Sequence, residues 1–267
     1  MTDTAIVIDA DACVPSALAR ALDLIVVPAD APTLSPTDSI PQLRLDATPS
    51  AAEPVVDACT AAAERARTVL YISANDAFAS APDAVERARA AVTARAPATR
   101  FVTHAANSTL MGYGWQAVAA ARALSAGAVP EEAIAVAERV RARVHVLAML
   151  EHPELSGVGG VNVPGTARLR ALTALRGVAV HVLARPAKRE DALVALRDGF
   201  AASARADGAS LHVAVHHAGA GAGAEALALW IRRSLDPAEV LVAPVTRHAA
   251  TRFGPRMIGV AWYSGLD

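Results

Sequence analysis

The feature that most constrains the fold is an alternation of short apolar segments with longer helix-forming segments. The short segments predict buried strands, because they are rich in β-branched residues and end at polar residues, glycine or proline. They lie at residues 5–8, 24–27, 69–72, 101–104, 144–150, 178–183, 210–215, 240–243 and 257–262. The segments between most of them have helical composition. This order predicts an α/β fold with mostly parallel sheets flanked by helices.

A loop of glycine, proline and asparagine, residues 156–165 (SGVGGVNVPG), interrupts this alternation. Loops of this composition are common at domain boundaries. We therefore expect an N-terminal α/β lobe over residues 1–155 and a C-terminal α/β lobe over residues 156–267. After the loop, the order is expected to resume with a helix before the strand at 178–183. Whether the closing strand returns to a cleft between the lobes stays open.

Composition and charge exclude several classes of protein. The chain has 267 residues, of which 54% are hydrophobic and 19% charged, so a sizeable core is expected. A net charge of −1 provides no basic face for nucleic acid. The N-terminus lacks a basic signal-peptide region, and no charge-free apolar run reaches about 18 residues, so we expect no membrane span. Cys13 and Cys59 form no CxxC motif, which favours a reduced, cytoplasmic protein.

The segment Gly112–Ala117 matches the dinucleotide-binding pattern G-x-G-x-x-A. In that motif the glycines follow a strand directly, whereas seven residues separate Gly112 from the strand ending at residue 104. Ser108 and Thr109 are better helix N-caps, which would put Gly112 and Gly114 within the first turns of the helix. Glycine there costs about 1 kcal/mol relative to alanine. Close packing or a ligand chain across the helix would explain it.

Three further clusters leave alternatives open. Asp9 and Asp11 follow the first strand and could either bind Mg²⁺ or cap the next helix. The glycine-rich segment 219–223 could hold an anion, but a flexible turn is the simpler interpretation. His216 and His217 are adjacent in a strand and point to opposite faces, which disfavours a shared metal. Together the first two clusters suggest, as the weakest hypothesis, an enzyme that depends on Mg²⁺ and a nucleotide.

Several stretches resemble the DegV family, and they occur in the family's order. Residues 6–15 (IVIDADACVP) resemble its opening I-V-T-D-S-x-x-D-L-P, and residues 107–115 resemble its D-S-x-x-x-S-M-G-x-G segment. Residues 254–263 (GPRMIGVAWY) resemble its closing G-P-G-x-x-G-x-A-F-Y. Shorter matches lie at residues 25–28, 48–50 and 71–73. The resemblance therefore extends along the whole chain.

This resemblance implies a two-lobed α/β protein that binds one long-chain fatty acid between its lobes, without catalysis, cofactor or metal. Some family members serve as the binding subunit of bacterial fatty acid kinase and present the carboxylate to a separate ATP-using catalytic subunit. Met111 and Trp115 would line or support the acyl tunnel. The polar residues implied at or near the carboxylate are Asp46, Thr48, Ser50, Ser73, Asn75 and either His248 or Arg252.

The chain departs from the family pattern around the expected head group. Two hydroxyls of the family's T-S-Q-P-S loop fall on Asp46 and Ala47, and Asp46 would repel a carboxylate unless one of the two groups is protonated. The family's glycine-glycine-arginine loop, near residues 156–158, lacks its arginine. Its histidine before the closing motif corresponds either to Arg252 or to His248. These departures motivate an alternative, a scaffold that has become a protein-interaction or small polar-ligand module.

Overall fold

A computed structural model gives the fold and describes residues 2–27, 52–74, 83–156, 169–177, 179–205 and 210–265. The strands within these residues are β1 (Thr2–Asp9), β2 (Leu24–Val27), β3 (Ala66–Ser73), β4 (Arg100–Ala105), β5 (His145–Leu150), β6 (Ala171–Arg176), β7 (Ala179–Ala184), β8 (Leu211–His217), β9 (Glu239–Pro244) and β10 (Ile258–Ser264). The helices are α1 (Ser16–Ala21), α2 (Glu53–Ala63), α3 (Ala84–Arg95), α4 (Met111–Ser125), α5 (Pro130–Arg141), α6 (Arg189–Arg205), α7 (Gly221–Ser234) and α8 (Arg247–Phe253).

The described residues form two compact units. The first comprises residues 2–27, 52–74, 83–109 and 113–142, and the second comprises residues 110–112 and the described residues from 143 onward. This grouping differs from the expected boundary at residue 155, because β5 pairs with β6 and β10 in the sheet of the second unit. The closing strand β10 lies in that same sheet, between β5 and β8.

The first unit is built on a four-stranded parallel sheet with the order β2-β1-β3-β4. The middle of β1 is a continuous apolar run, with Ile6, Val7 and Ile8 at most 3% exposed. Such a run is expected of a parallel strand that is covered on both faces. On one face, Val7 packs in a cluster with Cys59 of α2 and Val92 of α3. The mostly parallel pairing expected from the sequence is therefore present in this unit.

Helix α4 differs from the others because it is buried on every side. All residues from Met111 to Ala121 are buried, which explains why this segment is apolar apart from Gln116 and carries no polar face. Gly112 and Gly114 lie in its first turn, as expected. The following helix α5 begins with Pro130 at its first position, where the missing N–H costs nothing. The backbone N–H of Val129 donates to the Glu132 carboxylate at 3.0 Å and caps that end.

The second unit contains a six-stranded sheet with the order β7-β6-β5-β10-β8-β9. Here the expectation of mostly parallel strands is wrong: among the described strands, β8 and β9 pair in parallel and the other neighbours are antiparallel. The cause is connectivity, because β6 and β7 form a hairpin and the last strand enters the centre of the sheet. The α/β class and the helices around each sheet are confirmed.

Two elements of the second unit differ from those expected. The segment after the central loop was expected to be helical, but Ala171–Arg176 forms strand β6. Leu172, Thr173 and Leu175 are all buried, so the strand shows no alternation of exposed and buried residues. Helix α8 was not expected at all. Thr246 caps it through a hydrogen bond from the Ala249 N–H at 3.0 Å.

The core of the second unit lies between its sheet and helices α6 and α7. Trp262 of β10 meets Phe200 of α6 edge to face, with ring centroids 5.0 Å apart. At one end of the sheet, the Glu151 carboxylate accepts hydrogen bonds from Arg170, at 3.0 Å (Nε) and 2.6 Å (Nη2), and from Arg189. Burial alone would raise the pKa of Glu151, but the two arginines outweigh it and lower that pKa.

None of the helices within the described ranges has both the length and the apolar character needed to cross a membrane.

Candidate functional site

The carboxyl-terminal edge of the first sheet gathers several buried polar residues. Asp9 ends β1 and Ser73 ends β3, and these side chains are 8% and 7% exposed. Strand β4 ends beside β3, and the chain beyond it stays there because the Ala106 N–H donates to the Ser73 carbonyl at 2.9 Å. Ser108 and Thr109 then follow, both buried. Ligands of open parallel sheets usually bind at this edge, so the residues form a candidate ligand site.

Tyr113 of α4 joins the ends of β1 and β3. Its hydroxyl accepts a hydrogen bond from the Asp9 N–H at 2.9 Å and donates one to the carbonyl of Ile72. The regular pairing of the two strands ends at Ile8 and Ile72, so the hydroxyl satisfies backbone groups just where the ladder stops. Tyr113 is fully buried, which raises the pKa of its hydroxyl well above the ordinary value and keeps it neutral.

The Asp9 carboxyl lies in an apolar environment with one direct hydrogen bond from a side chain, donated by the Tyr71 hydroxyl to Oδ1 at 2.9 Å. Burial raises the pKa of Asp9 from 3.8 to about 7, the hydrogen bond from Tyr71 opposes that rise, and the charge of Asp11 adds to it. Asp9 therefore exchanges its proton near neutral pH.

Buried polar pairs fix α4 beside the edge of the sheet. His104 of β4 and Gln116 of α4 are hydrogen-bonded through Nε2 and Oε1 at 2.8 Å, and the Gln116 amide donates to the Ala106 carbonyl at 2.9 Å. Since Gln116 Oε1 can only accept, His104 carries its proton on Nε2. Burial lowers the pKa of His104, so the neutral form is favoured.

The second unit contains both residues that could correspond to the family's histidine before the closing motif. His248 and Arg252 both lie on α8, four residues apart, and therefore share one face of the helix. Both side chains are half-buried. The C-terminal end of α8 is held by the Ser156 hydroxyl, which donates to the Arg252 carbonyl at 2.5 Å. The two residues are thus neighbours on one surface, and their role with a ligand stays a prediction.

The two apolar candidates, Met111 and Trp115, are fully buried in α4. The Met111 N–H donates to Nε2 of His216 in β8 at 3.1 Å, both residues being grouped in the second unit. Trp115 is grouped with Ser73 in the first unit. Their roles in lining an acyl tunnel stay predictions. The other candidates, Asp46, Thr48, Ser50 and Asn75, lie outside the described residues.

The glycine-rich segment before β9 is part of a helix and its packing. Helix α7 begins at Gly221, and a Cβ atom on Gly223 would lie 2.8 Å from the Cδ1 atom of Ile258. Because Gly221 and Gly223 are helical, the flexible turn expected over residues 219–223 is wrong for the second half of the segment, and the alternative of an anion site stays a prediction. In the part of the chain that the structure describes, no three His, Cys, Asp or Glu side chains are grouped in a way that could hold a metal ion.

Comparison with known proteins identifies the family. A sequence model described as "Uncharacterised protein, DegV family" matches residues 46–265. The chain belongs to the DegV family. No curated protein matches the sequence. The DegV assignment agrees with the ordered motifs that resemble the family at both ends of the chain.

Solved DegV structures share the fold over almost the whole chain. A DegV family protein from Thermus thermophilus, described as binding fatty acid, has a TM-score of 0.82 and 20% identity, with 99% of this chain and 100% of that chain covered. DegV from Bacillus subtilis, described as a fatty acid binding protein, has a TM-score of 0.78 and 14% identity at 99% and 100% coverage. A DegV family protein from Eubacterium eligens, loaded with heptadecanoic acid, has a TM-score of 0.75 and 11% identity at 98% and 100% coverage.

Sequence reasoning missed two tyrosines in this part of the DegV fold. Tyr71 was seen only as part of a strand and Tyr113 only as one of several aromatic residues beside the glycines. A signal was present, since a tyrosine in an otherwise apolar strand needs a partner for its hydroxyl when buried. The neighbouring acid, Asp9, was noted, but as a helix cap or a metal ligand.

Proposed function

We propose that this protein binds a long-chain fatty acid and has no catalytic activity of its own. The observation that carries the proposal is full-length structural likeness to DegV proteins described as fatty-acid-binding, one of them loaded with heptadecanoic acid. Similarity at 11–20% identity defines the fold, so the ligand assignment needs support from residues of this chain. That support comes from the buried polar edge of the first sheet.

Ser73 is the described residue best suited to contact the carboxylate head group. It follows the buried apolar run 69–72 of strand β3, and it lies at the edge where parallel sheets bind ligands. Its hydroxyl can donate one hydrogen bond to an ionised carboxylate, and such charge-assisted bonds are about twice as strong as neutral ones. Asp46, Thr48, Ser50, Asn75, His248 and Arg252 stay proposed contacts, with Met111 and Trp115 as proposed tunnel residues.

The wider role follows the family resemblance. We propose that the protein presents its fatty acid to a separate fatty acid kinase, which would use ATP to phosphorylate the carboxylate, and that both act in the cytoplasm. A binding subunit of this kind needs an acyl site and an accessible head group, but no nucleotide site of its own.

The test is a displacement titration. A fluorescent 18-carbon polyene fatty acid should bind wild-type protein saturably with one site, and palmitate should displace it. Hexadecanol, which has the chain but no carboxylate, should displace it at least tenfold more weakly. Ser73→Ala should lower palmitate affinity roughly ten- to 150-fold, which corresponds to the loss of one hydrogen bond to a charged group. Ser234→Ala, on the exposed end of α7, is the matched control and should bind as wild type.

The absence of saturable binding by wild-type protein would contradict the proposal. Equal displacement by palmitate and hexadecanol would leave a chain-binding protein without a carboxylate site, contrary to the head-group assignment.

A further inference from the structure

Asp9 and Ser73 occupy equivalent ends of two adjacent parallel strands. Ile8 of β1 is in register with Ile72 of β3, so the next residue of each strand lies at the same edge. Side chains alternate along a strand, and residues in parallel register point to the same face. Asp9 and Ser73 are therefore directed to one side of the sheet, the side on which Val7 and Tyr71 also lie. Both are more than nine-tenths buried.

These two side chains retain hydrogen-bonding capacity. The Asp9 carboxyl receives the Tyr71 hydroxyl on one oxygen, Oδ1. The second oxygen, Oδ2, and the Ser73 hydroxyl can each take part in a further hydrogen bond, so the two side chains together can hold a polar ligand group at this edge of the sheet.

The surroundings of Asp9 favour its neutral form. The titratable groups that face it are Tyr71 of β3, Tyr113 of α4, Cys59 of α2 and Asp11 of the short 3₁₀ turn after β1. None of these described groups is a cation, and β2 contributes Val27 beside Asp9. Burial, and then the neighbouring Asp11, raise the pKa of Asp9 to about 7 despite the hydrogen bond from Tyr71. At and below neutral pH the carboxyl can therefore donate a hydrogen bond as well as accept one.

We propose that Asp9, in its carboxylic acid form, is a head-group residue that shares its proton with the carboxylate of the bound ligand, beside the hydroxyl of Ser73. The proposal rests on fatty-acid binding and adds a residue to that site. The charge balance is simple: a neutral acid and one carboxylate make a hydrogen-bonded pair with a single negative charge. If Asp9 is ionised, two carboxylates face each other in an apolar site, and binding then requires uptake of one proton.

This arrangement would also select the chemistry of the head group. A carboxylate is basic enough to share a proton with another carboxylic acid, whereas a sulfonate is a much weaker base. An alkyl sulfonate of the same length has the same charge and similar size, but it would form a weaker hydrogen bond with the acid. The site is therefore expected to prefer fatty acids over alkyl sulfonates, and that preference should depend on Asp9.

The experiment measures affinity against pH with decanoate below its micelle concentration, because this ligand is mostly ionised at pH 5.5 and fully ionised above about pH 7, where the change is expected. From pH 5.5 to 9, wild-type affinity should be constant up to about pH 7 and then fall about tenfold per pH unit. The Asp9→Asn variant keeps a hydrogen-bond donor that does not titrate, so its affinity for decanoate should not fall above about pH 7. Asp3→Asn is the matched control, since it makes the same change at an exposed position of the same strand.

Two further measurements separate a ligand contact from a merely structural role. Tyr71→Phe removes the hydrogen bond that lowers the pKa of Asp9, so the fall in affinity should move to higher pH. Decane sulfonate should bind wild-type protein at least tenfold more weakly than decanoate at pH 6, and Asp9→Asn should reduce that difference.

Decanoate binding by wild-type protein without this pH dependence, or an unchanged pH profile in Asp9→Asn, would overturn the role of Asp9 and leave fatty-acid binding intact. If wild-type protein binds neither decanoate nor palmitate at any pH, the proposed function fails and the role of Asp9 fails with it.

Discussion

The backbone N–H of Met111, the first residue of helix α4, donates a hydrogen bond to Nε2 of His216 at 3.1 Å. A helix leaves its first N–H groups without partners inside the helix, and a buried helix cannot use water for them. His216 is fully buried and supplies one such partner. Since Nε2 accepts, the imidazole must be neutral, which agrees with a pKa that burial lowers to about 3.

Replacement of His216 should separate this capping role from simple packing. Glutamine can place its carbonyl oxygen near the position of Nε2, whereas leucine fills similar space without an acceptor. We expect His216→Leu to lower the free energy of unfolding by about 1–2 kcal/mol more than His216→Gln, the range for loss of a helix cap. Urea titrations of both variants provide the measurement. Equal stabilities would contradict the importance of the Met111 hydrogen bond.

The pH dependence of stability should reveal two buried groups that act in opposite directions. The pKa of Asp9 is raised from 3.8 to about 7, so folding retains a proton that the unfolded chain releases. This group stabilises the fold below about pH 4, and the stabilisation is lost as the pH rises to about 7. The pKa of His216 is lowered from 6.5 to about 3, so its contribution is present above about pH 6.5 and is lost as the pH falls.

Single substitutions at Asp9 and at His216 should each change the pH dependence of stability. Between pH 5 and pH 6.5, Asp9→Asn should make the free energy of unfolding increase more steeply with pH than in wild type, by at most about 1.4 kcal/mol per pH unit. His216→Gln should change the slope by a similar amount in the opposite direction. His104 and His217, whose pKa values burial also lowers, keep their contributions in both variants. Parallel slopes in all three proteins would show that neither group titrates as described.

The two tyrosines near Asp9 should differ in their contribution to stability. Tyr113→Phe leaves two buried backbone groups, the Asp9 N–H and the Ile72 carbonyl, without their partner and should cost roughly 2–4 kcal/mol. Tyr71→Phe removes one hydrogen bond to the Asp9 side chain and should cost roughly 1 kcal/mol at pH 6. Chemical denaturation of both variants at that pH compares them. A smaller loss for Tyr113→Phe would contradict its role in joining β1 and β3.

Two glycines at the start of α7 offer a matched pair. A Cβ atom on Gly223 would lie 2.8 Å from Ile258, so Gly223→Ala should displace that side chain and cost about 1–2 kcal/mol. At Gly221 the nearest atoms, those of the His217 ring, would be 3.6 Å and 3.7 Å away. Gly221→Ala should therefore be neutral or stabilise the helix by up to about 1 kcal/mol. Thermal unfolding measures the stability of both variants. A Gly221→Ala variant that is less stable than Gly223→Ala would contradict the packing role of Gly223.

Much of the fold could be predicted because local pattern and tertiary role agree. Strand β2 lies at Leu24–Val27, as expected, since its four apolar residues are bounded by charged and proline residues. Strand β6 was mistaken for helix because its alanine, leucine and arginine are strong helix formers and both of its faces are buried. The antiparallel order of the second sheet depends on contacts between distant segments, which a single sequence does not specify.

The site was less predictable, for a similar reason. Ser73 could be placed at a strand end because the strand itself is obvious. The environment of Asp9 depends on Tyr71 and Tyr113, which are 62 and 104 residues away in sequence. His216 is another example, since its partner Met111 is 105 residues distant. Spacing along the chain gives no indication of these hydrogen bonds.

Native mass spectrometry of the protein purified from bacteria, followed by lipid extraction, tests the central claim most directly. The account predicts one species heavier than the polypeptide by the mass of a single long-chain fatty acid, with that acid recovered in the extract. It also predicts that protein stripped of lipid regains one equivalent when palmitate is added. A polypeptide that carries no acyl chain and takes up none from added palmitate would contradict fatty-acid binding.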